Sequence, residues 1–266
     1  MFVFASLIQP LRAQMHAEEM QEASFNHILD SLQLKGSVLI YNVKANRYFS
    51  NDFTWANEGH LPASTFKIPN TLIALETGVL PNEEYVFTWD GKKRSLAAWE
   101  RDLTVKEAFQ ASCVPCYQEI ARKIGFEQMS TWTRAFGYGT LAITPASLDS
   151  FWLRGPSNIS SYQQIDFLLK LVTRELPISE RTSTIMRHIM MVEQTENYTL
   201  RAKTGWGTRG GIDNGWYVGY VETINNTYIF ATNVEPVNPA ETSHFAAARI
   251  LATKAALRRL GVPLKR

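Results

Sequence analysis

The chain has 266 residues, 45% of them hydrophobic, 12% aromatic and 20% charged. That is enough apolar material for a large core and excludes a disordered chain. Twenty-seven basic residues against 25 acidic ones leave a formal charge of +2, too balanced for the electrostatic footprint of a nucleic-acid binder. Two cysteines exclude a disulfide scaffold, and five histidines without close pairing argue against a histidine-rich metal site. Seven Trp, 10 Tyr and 14 Phe predict a rich core, a lined cleft, or both.

No apolar stretch is long enough to span a bilayer. The run Phe2 to Ile8 resembles the core of a signal peptide, with small-residue cleavage near Ala13 and no basic residue ahead of it. Residues 1–16 therefore read as a signal-peptide remnant or a disordered N-terminus, and folding is expected to begin at Ala17.

Apolar residues at helical spacing predict a helix over 17–31. Gly36 to Val43 is apolar and β-branched and reads as a strand, and Ala45-Asn46 turns it into a second strand over Arg47 to Ser50. A helix is expected whose first turn carries Ser64 to Lys67, because Pro69 tolerates only a nearby start and Gly78 sits where a cap glycine would. Residues 82–102 read as a long polar and aromatic connection. Thr104-x-x-Glu107 is a capping box that starts a helix at Val105, and Pro115 opens the next one, ending near Gly125. Further helical patterns cover 126–135, 162–173 and 180–192, with loop over 137–156. The period then changes: 198–204, 215–222 and 227–233 read as strands, with Asn225-Asn226 as a tight turn, and 245–260 as a closing helix. The near-continuous apolar run Trp216 to Val221 suits a strand covered on both faces.

The layout predicts an α+β (mixed α/β) fold. A central antiparallel sheet flanked by helices is built from about 17–60 and 195–266, and an all-helical lobe from about 61–194, with a cleft between them. Residues 17–266 form one domain with these two subdomains.

Three motifs carry chemistry. Ser64-x-x-Lys67 places a hydroxyl and an amine on one helix face. A serine becomes a nucleophile only when a base takes its proton, and a lysine serves only if its pKa falls or its amine is modified. The plain alternative is a cap serine followed by a surface lysine. Ser112-x-Val114 lies between two helices, where a side chain projects into a cleft; alone it is an ordinary helix-end serine. Lys203-Thr204-Gly205, followed by Trp206, ends a strand and forms a receptor for a carboxylate, with Gly205 allowing close backbone approach. Its alternative is an edge lysine that blocks aggregation.

In this order the three motifs resemble the S-x-x-K, second-serine and K-T-G set of serine β-lactamases and penicillin-binding proteins. The particular versions resemble class D, oxacillinase-type β-lactamases: Ser64-Thr65-Phe66-Lys67, Ser112-x-Val114, the Trp99 to Thr104 approach, and Phe151-Trp152-Leu153-Arg154-Gly155. The resemblance spans about Ser37 to Leu260. It implies Ser64 as the acylated nucleophile and Lys67 as the base, N-carboxylated reversibly from CO2 or bicarbonate, with no other cofactor and no metal. It implies Ser112 as proton shuttle and Trp152 as indole donor to the carbamate. Phe66, Val114, Trp152 and Leu153 would form the apolar surroundings of Lys67. Lys203, Thr204 and Arg249 would hold the substrate carboxylate, beside Gly205 and Trp206. The backbone N–H groups of Ser64 and Trp206 would form the oxyanion hole.

The implied partner is a small β-lactam, with no nucleic acid and no membrane span, in a monomer or homodimer. The implied location is the bacterial periplasm or outside the cell. A β-lactam sensor domain that acylates without fast turnover, a D,D-peptidase and a catalytically inactive binding module on the same fold are the alternatives.

Where the family carries Tyr-Gly-Asn, this chain has Tyr138-Gly139-Thr140; the lost amide bears on substrate preference more than on the reaction. Cys113-x-x-Cys116 reads as two buried thiols, with a local disulfide as the alternative. Half a zinc site is disfavoured because no second cysteine pair exists.

Overall fold

The computed structural model describes residues 17–240 and 242–265. The signal-remnant expectation for residues 1–16 lies outside them.

Strand β1 (Glu18–Gln21) precedes helix α1 (Ser24–Ser31), so the helix expected over 17–31 occupies only its second half. Glu18 to Gln21 instead pairs in parallel with β3 (Arg47–Ser50). Strand β2 (Leu34–Asn42) pairs antiparallel with β3 and with β9 (Thr227–Pro236). Strands β7 (Tyr198–Arg209) and β8 (Ile212–Thr223) complete the long antiparallel run. A short strand, β6 (Met191–Gln194), pairs with β7, so the helix expected over 180–192 stops earlier. The seven-stranded sheet runs β1-β3-β2-β9-β8-β7-β6, antiparallel except for the β1–β3 pair.

Asn214 through Val221 is buried without interruption along β8. Helices cover both faces there, and this explains the unbroken apolar run. On one face lie α1 and α9 (Phe245–Arg259), with Phe25, Val38, Tyr217 and Ala252 in one apolar cluster.

On the other face sits the helical lobe. It begins with α2 (Phe53–Asn57) and a 3₁₀ turn, Ala63–Phe66, that runs directly into α3 (Lys67–Glu76). Pro69 falls in the first turn of α3, where its missing N–H matters least. Residues 82–102 are not all connection, since β4 (Val86–Phe87) pairs with β5 (Leu103–Thr104). The expected capping box holds Thr104 and Glu107 at the start of α4 (Val105–Gln110). Helices α5 (Val114–Ile124), α6 (Phe126–Phe136), α7 (Ser161–Val172) and α8 (Glu180–Ile189) follow. The 137–156 stretch is loop apart from one 3₁₀ turn, Pro145–Ser147. Among the described residues, no helix is long and apolar enough to cross a membrane.

Candidate active site

Ser64 sits in the 3₁₀ turn that leads into α3, and Lys67 is the first residue of the helix proper. This spacing places the Lys67 Nζ 3.0 Å from Ser64 Oγ. The turn is anchored from three sides. Ala63, in the left-handed region at φ 49°, donates its N–H to the Trp152 carbonyl at 2.8 Å. Thr65 Oγ1 donates to the Pro62 carbonyl at 2.7 Å and receives Gln164 Nε2 at 2.8 Å. Tyr138 Oη is 3.0 Å from the same Thr65 hydroxyl. A left-handed alanine costs roughly 1–2 kcal/mol, a strain these contacts hold in place.

Lys67 is fully buried. Burial without a carboxylate pushes its amine down from 10.5 to about 7. Around it, Phe66 stacks on Trp152 with ring centroids 5.3 Å apart and meets Phe151 edge-on at 4.8 Å. The Tyr117 ring lies 5.0 Å from Lys67 Nζ. Trp152 is also fully buried, and its Nε1 has no hydrogen-bond partner. Leu153 is half-buried against the same core, and Val114 is half-buried in the first turn of α5.

Ser112 joins α4 to α5 in the left-handed region, at φ 52°. Its N–H bonds the Phe109 carbonyl at 3.1 Å, and the Cys113 N–H bonds the Ala108 carbonyl at 2.8 Å. Its Oγ accepts a hydrogen bond from Lys203 Nζ. The cysteine expectation is corrected here: Cys113 and Cys116 form a disulfide. Cys113 is the N-cap of α5, and Cys116, three residues on, lies one turn along the same face, with Cα atoms 5.5 Å apart, within bridging distance.

Lys203 Nζ also donates to the Thr204 carbonyl at 3.0 Å and to Thr204 Oγ1 at 3.3 Å. Burial pushes its amine well below the usual lysine range, and the nearby charges of Lys67 and Arg249 push it the same way. Strand β7 is not simply the sheet edge, because β6 pairs with it over Thr199 to Arg201. From Lys203 onward only β8 pairs with it. Gly205 is required by the packing of the Ala63–Phe66 turn on this strand. A Cβ there would lie 3.1 Å from Trp216 Cβ, 3.2 Å from Thr65 Cγ2 and 3.3 Å from the Pro62 carbonyl.

Arg249 reaches the site from α9. Its guanidinium lies 5.4 Å from the Trp206 ring centroid, and its Nε and Nη1 are buried without partners. Burial lowers it from 12.5 to about 10. Gly215 on β8 makes room: a Cβ there would come within 2.7 Å of Phe245 and 3.2 Å of Arg249 Cδ. Among the described residues, no carboxylate pairs with Lys67, Lys203 or Arg249.

The structure thus links Ser64 to Lys67 and Ser112 to Lys203 and Thr204, with Trp152 at the Lys67 end and Arg249 with Trp206 at the other. Sequence reasoning missed Tyr117, which contacts Lys67 and whose Oη is 2.8 Å from Thr71 Oγ1. Its position on the buried face of α5 was the available signal. It also missed the Thr65–Tyr138–Gln164 cluster, which only the fold assembles. Thr140, in place of the family asparagine, is exposed, and its main chain pairs with Asn158 in both directions, at 2.8 and 2.9 Å.

A family model for the penicillin binding protein transpeptidase domain matches residues 34–255. That places the chain among active-serine enzymes of this fold. β-Lactamase OXA-48 of Klebsiella pneumoniae is 44% identical over 220 residues, covering 82% of this chain and 83% of that protein. β-Lactamase OXA-10 of Pseudomonas aeruginosa is 37% identical over 224 residues, covering 83% and 84%. The crystal structure of the class D β-lactamase YbXI from Nostoc superposes with a TM-score of 0.86 at 43% identity, covering 90% of this chain and 98% of that one. The chain belongs to the class D serine β-lactamase family.

Proposed function

We propose that this protein hydrolyses penicillin-like β-lactams through an acyl-enzyme on Ser64. One observation carries the reading: a serine within 3.0 Å of a buried, neutral-leaning lysine, beside a buried lysine and a buried arginine that have no carboxylate partner among the described residues. Such a site lacks an anion, and a β-lactam brings a carboxylate next to the amide to be broken. Lys203, Thr204 and Arg249 bind that carboxylate, and Trp206 lines the approach.

Lys67 accepts the Ser64 proton as Oγ attacks the lactam carbonyl. The backbone N–H groups of Ser64 and Trp206 stabilise the oxyanion. As the carbon–nitrogen bond breaks, Ser112 passes its proton to the departing nitrogen and takes up the one that Lys67 holds, so both side chains return to their starting state. Water then cleaves the ester with Lys67 again as base, which restores Ser64. A carbamate on Lys67 Nζ, made reversibly from CO2, supplies an anionic proton acceptor for both steps. The residues fit that group: the amine loses its proton near pH 7, its surroundings are apolar, and the buried Trp152 Nε1 has no other acceptor. The Cys113–Cys116 bridge supports a location in an oxidising compartment, the periplasm or outside the cell.

Nitrocefin turnover measured with and without bicarbonate tests the reading. Turnover rises with bicarbonate and falls by roughly 10²-fold or more in Lys67→Ala, the range for loss of a general base. Trp152→Ala loses most of the bicarbonate response. A stoichiometric burst without a steady state would favour the sensor reading instead.

A further inference from the structure

We propose that the Cys113–Cys116 disulfide positions Ser112 for proton transfer, so that acylation of Ser64 depends on the bridge being oxidised. The inference rests on the β-lactam reading for its probe and for the role of Ser112.

Ser112 lies between Ala111, the C-cap of α4, and Cys113, the N-cap of α5, and its backbone is left-handed, a conformation uncommon for a serine. From the α4 side it is fixed by the two main-chain bonds to Phe109 and Ala108. From the α5 side it is fixed by residue 113. The Cys113 Sγ accepts the Cys116 N–H at 3.3 Å, a weak cap for a sulfur atom. The covalent bridge supplies the restraint that this cap lacks, because it ties the N-cap to the third helical residue. The two cysteines are flanked by contacts to both active-site lysines. Ser112, just before Cys113, accepts from Lys203, and Tyr117, just after Cys116, faces Lys67. The two contacts therefore flank the first turn of α5, and the bridge spans that turn.

Cys113 and Cys116 are buried but border a cleft lined by Phe87, Trp99, Pro115 and Arg122, which gives a small reductant an approach. A dithiol passes two electrons and two protons to the bridge. The sulfur–sulfur bond breaks into two thiols, and the dithiol closes into its own disulfide.

The test compares the oxidised protein, the same protein after dithiothreitol with two free thiols counted, and Cys113→Ala/Cys116→Ala. Acylation and deacylation by nitrocefin are timed separately in the pre-steady state, well below each form's melting temperature. Loss of the bridge is expected to slow acylation at least fivefold while deacylation changes less than twofold, and reoxidation restores the original rate. A merely structural bridge would slow both steps together, in step with the melting temperature; that result overturns the proposal, as does acylation unchanged within twofold. Where the double variant fails to fold, the reduced and reoxidised forms decide, and where reductant fails to open the bridge, the variant decides. A burst without turnover in the oxidised protein overturns the hydrolase reading only, because the burst rate still measures acylation in every form.

Discussion

At the scale of single residues, the electrostatics of Lys67 dominate. An amine with no carboxylate and no water-filled surroundings is more stable neutral, and burial takes it from 10.5 to about 7. Between those values the unfolded chain holds a proton that the folded one has lost. Lys67 therefore favours folding increasingly as pH rises through that window, and its burial is most costly below about 7. Under the proposed mechanism the same shift governs the chemistry, since only a neutral amine can take a proton from Ser64 or react with CO2. In bicarbonate-depleted buffer kcat/KM is expected to fall on the acid side with a midpoint near 7, and added bicarbonate moves that limb to lower pH. A limb that stays in the carboxylate range under both conditions would remove Lys67 from the base role. Burial disfavours the charges of Lys203 and Arg249 in the same way, and under the proposed reading an arriving anion would offset that cost.

At the scale of elements, the site depends on how segments end. Helix α3 begins as a 3₁₀ turn, and this brings Ser64 onto the Lys67 face while Gly205 lets β7 pack against it. Helix α4 is only six residues long, and its N-terminal capping box is its main local support. Thr104→Ala is expected to cost about 1 kcal/mol, the usual value of an N-cap. In a chain of this size that lowers the melting temperature by roughly 2–4 °C. Scanning calorimetry measures it, and an unchanged melting temperature would show that α4 is held by its packing alone. Strand β7 shows the same sensitivity to ends. Partner strand β6 pairs no further than Arg201, so on that side the Lys203-Thr204-Gly205 segment lies on main chain that no strand pairs.

At the scale of the whole molecule, the two lobes share a core. One apolar cluster runs from Leu39, Trp216 and Ile229 on the sheet to Phe66, Ile120, Trp152 and Phe167 in the helical lobe. The lobes are therefore expected to unfold together. Thermal transitions followed by tryptophan fluorescence and by far-UV circular dichroism should coincide. Two separate transitions would show a helical lobe that is stable by itself. The near-neutral net charge is consistent with an anionic small-molecule ligand, because the positive charge needed is concentrated at Lys203 and Arg249.

Much of this was legible from the linear pattern. Strands β2, β3, β7, β8 and β9 and helices α3 to α7 follow period and capping signals that act over a few residues, and the Ser64–Lys67 contact follows from helical spacing alone. The short strands β1 and β6 were missed for a common reason. Neither has an apolar pattern of its own, and each exists because a neighbouring strand offers it main-chain partners. The Cys113–Cys116 bridge was misjudged because two cysteines at this spacing also suit free thiols, and only the N-cap geometry brings the sulfurs onto one face. The sequence by itself determined most of the local elements, the Ser64–Lys67 pair and the family, because those depend on residue types at short spacing. Only the tertiary structure decided that Ser112 meets Lys203 across 91 positions, that Arg249 is buried with no counter-ion among the described residues, and that Tyr117 closes over Lys67. Those contacts come from the packing of distant segments into one core; short-range spacing can show which face of a helix is buried, as for Tyr117, but not what that face meets.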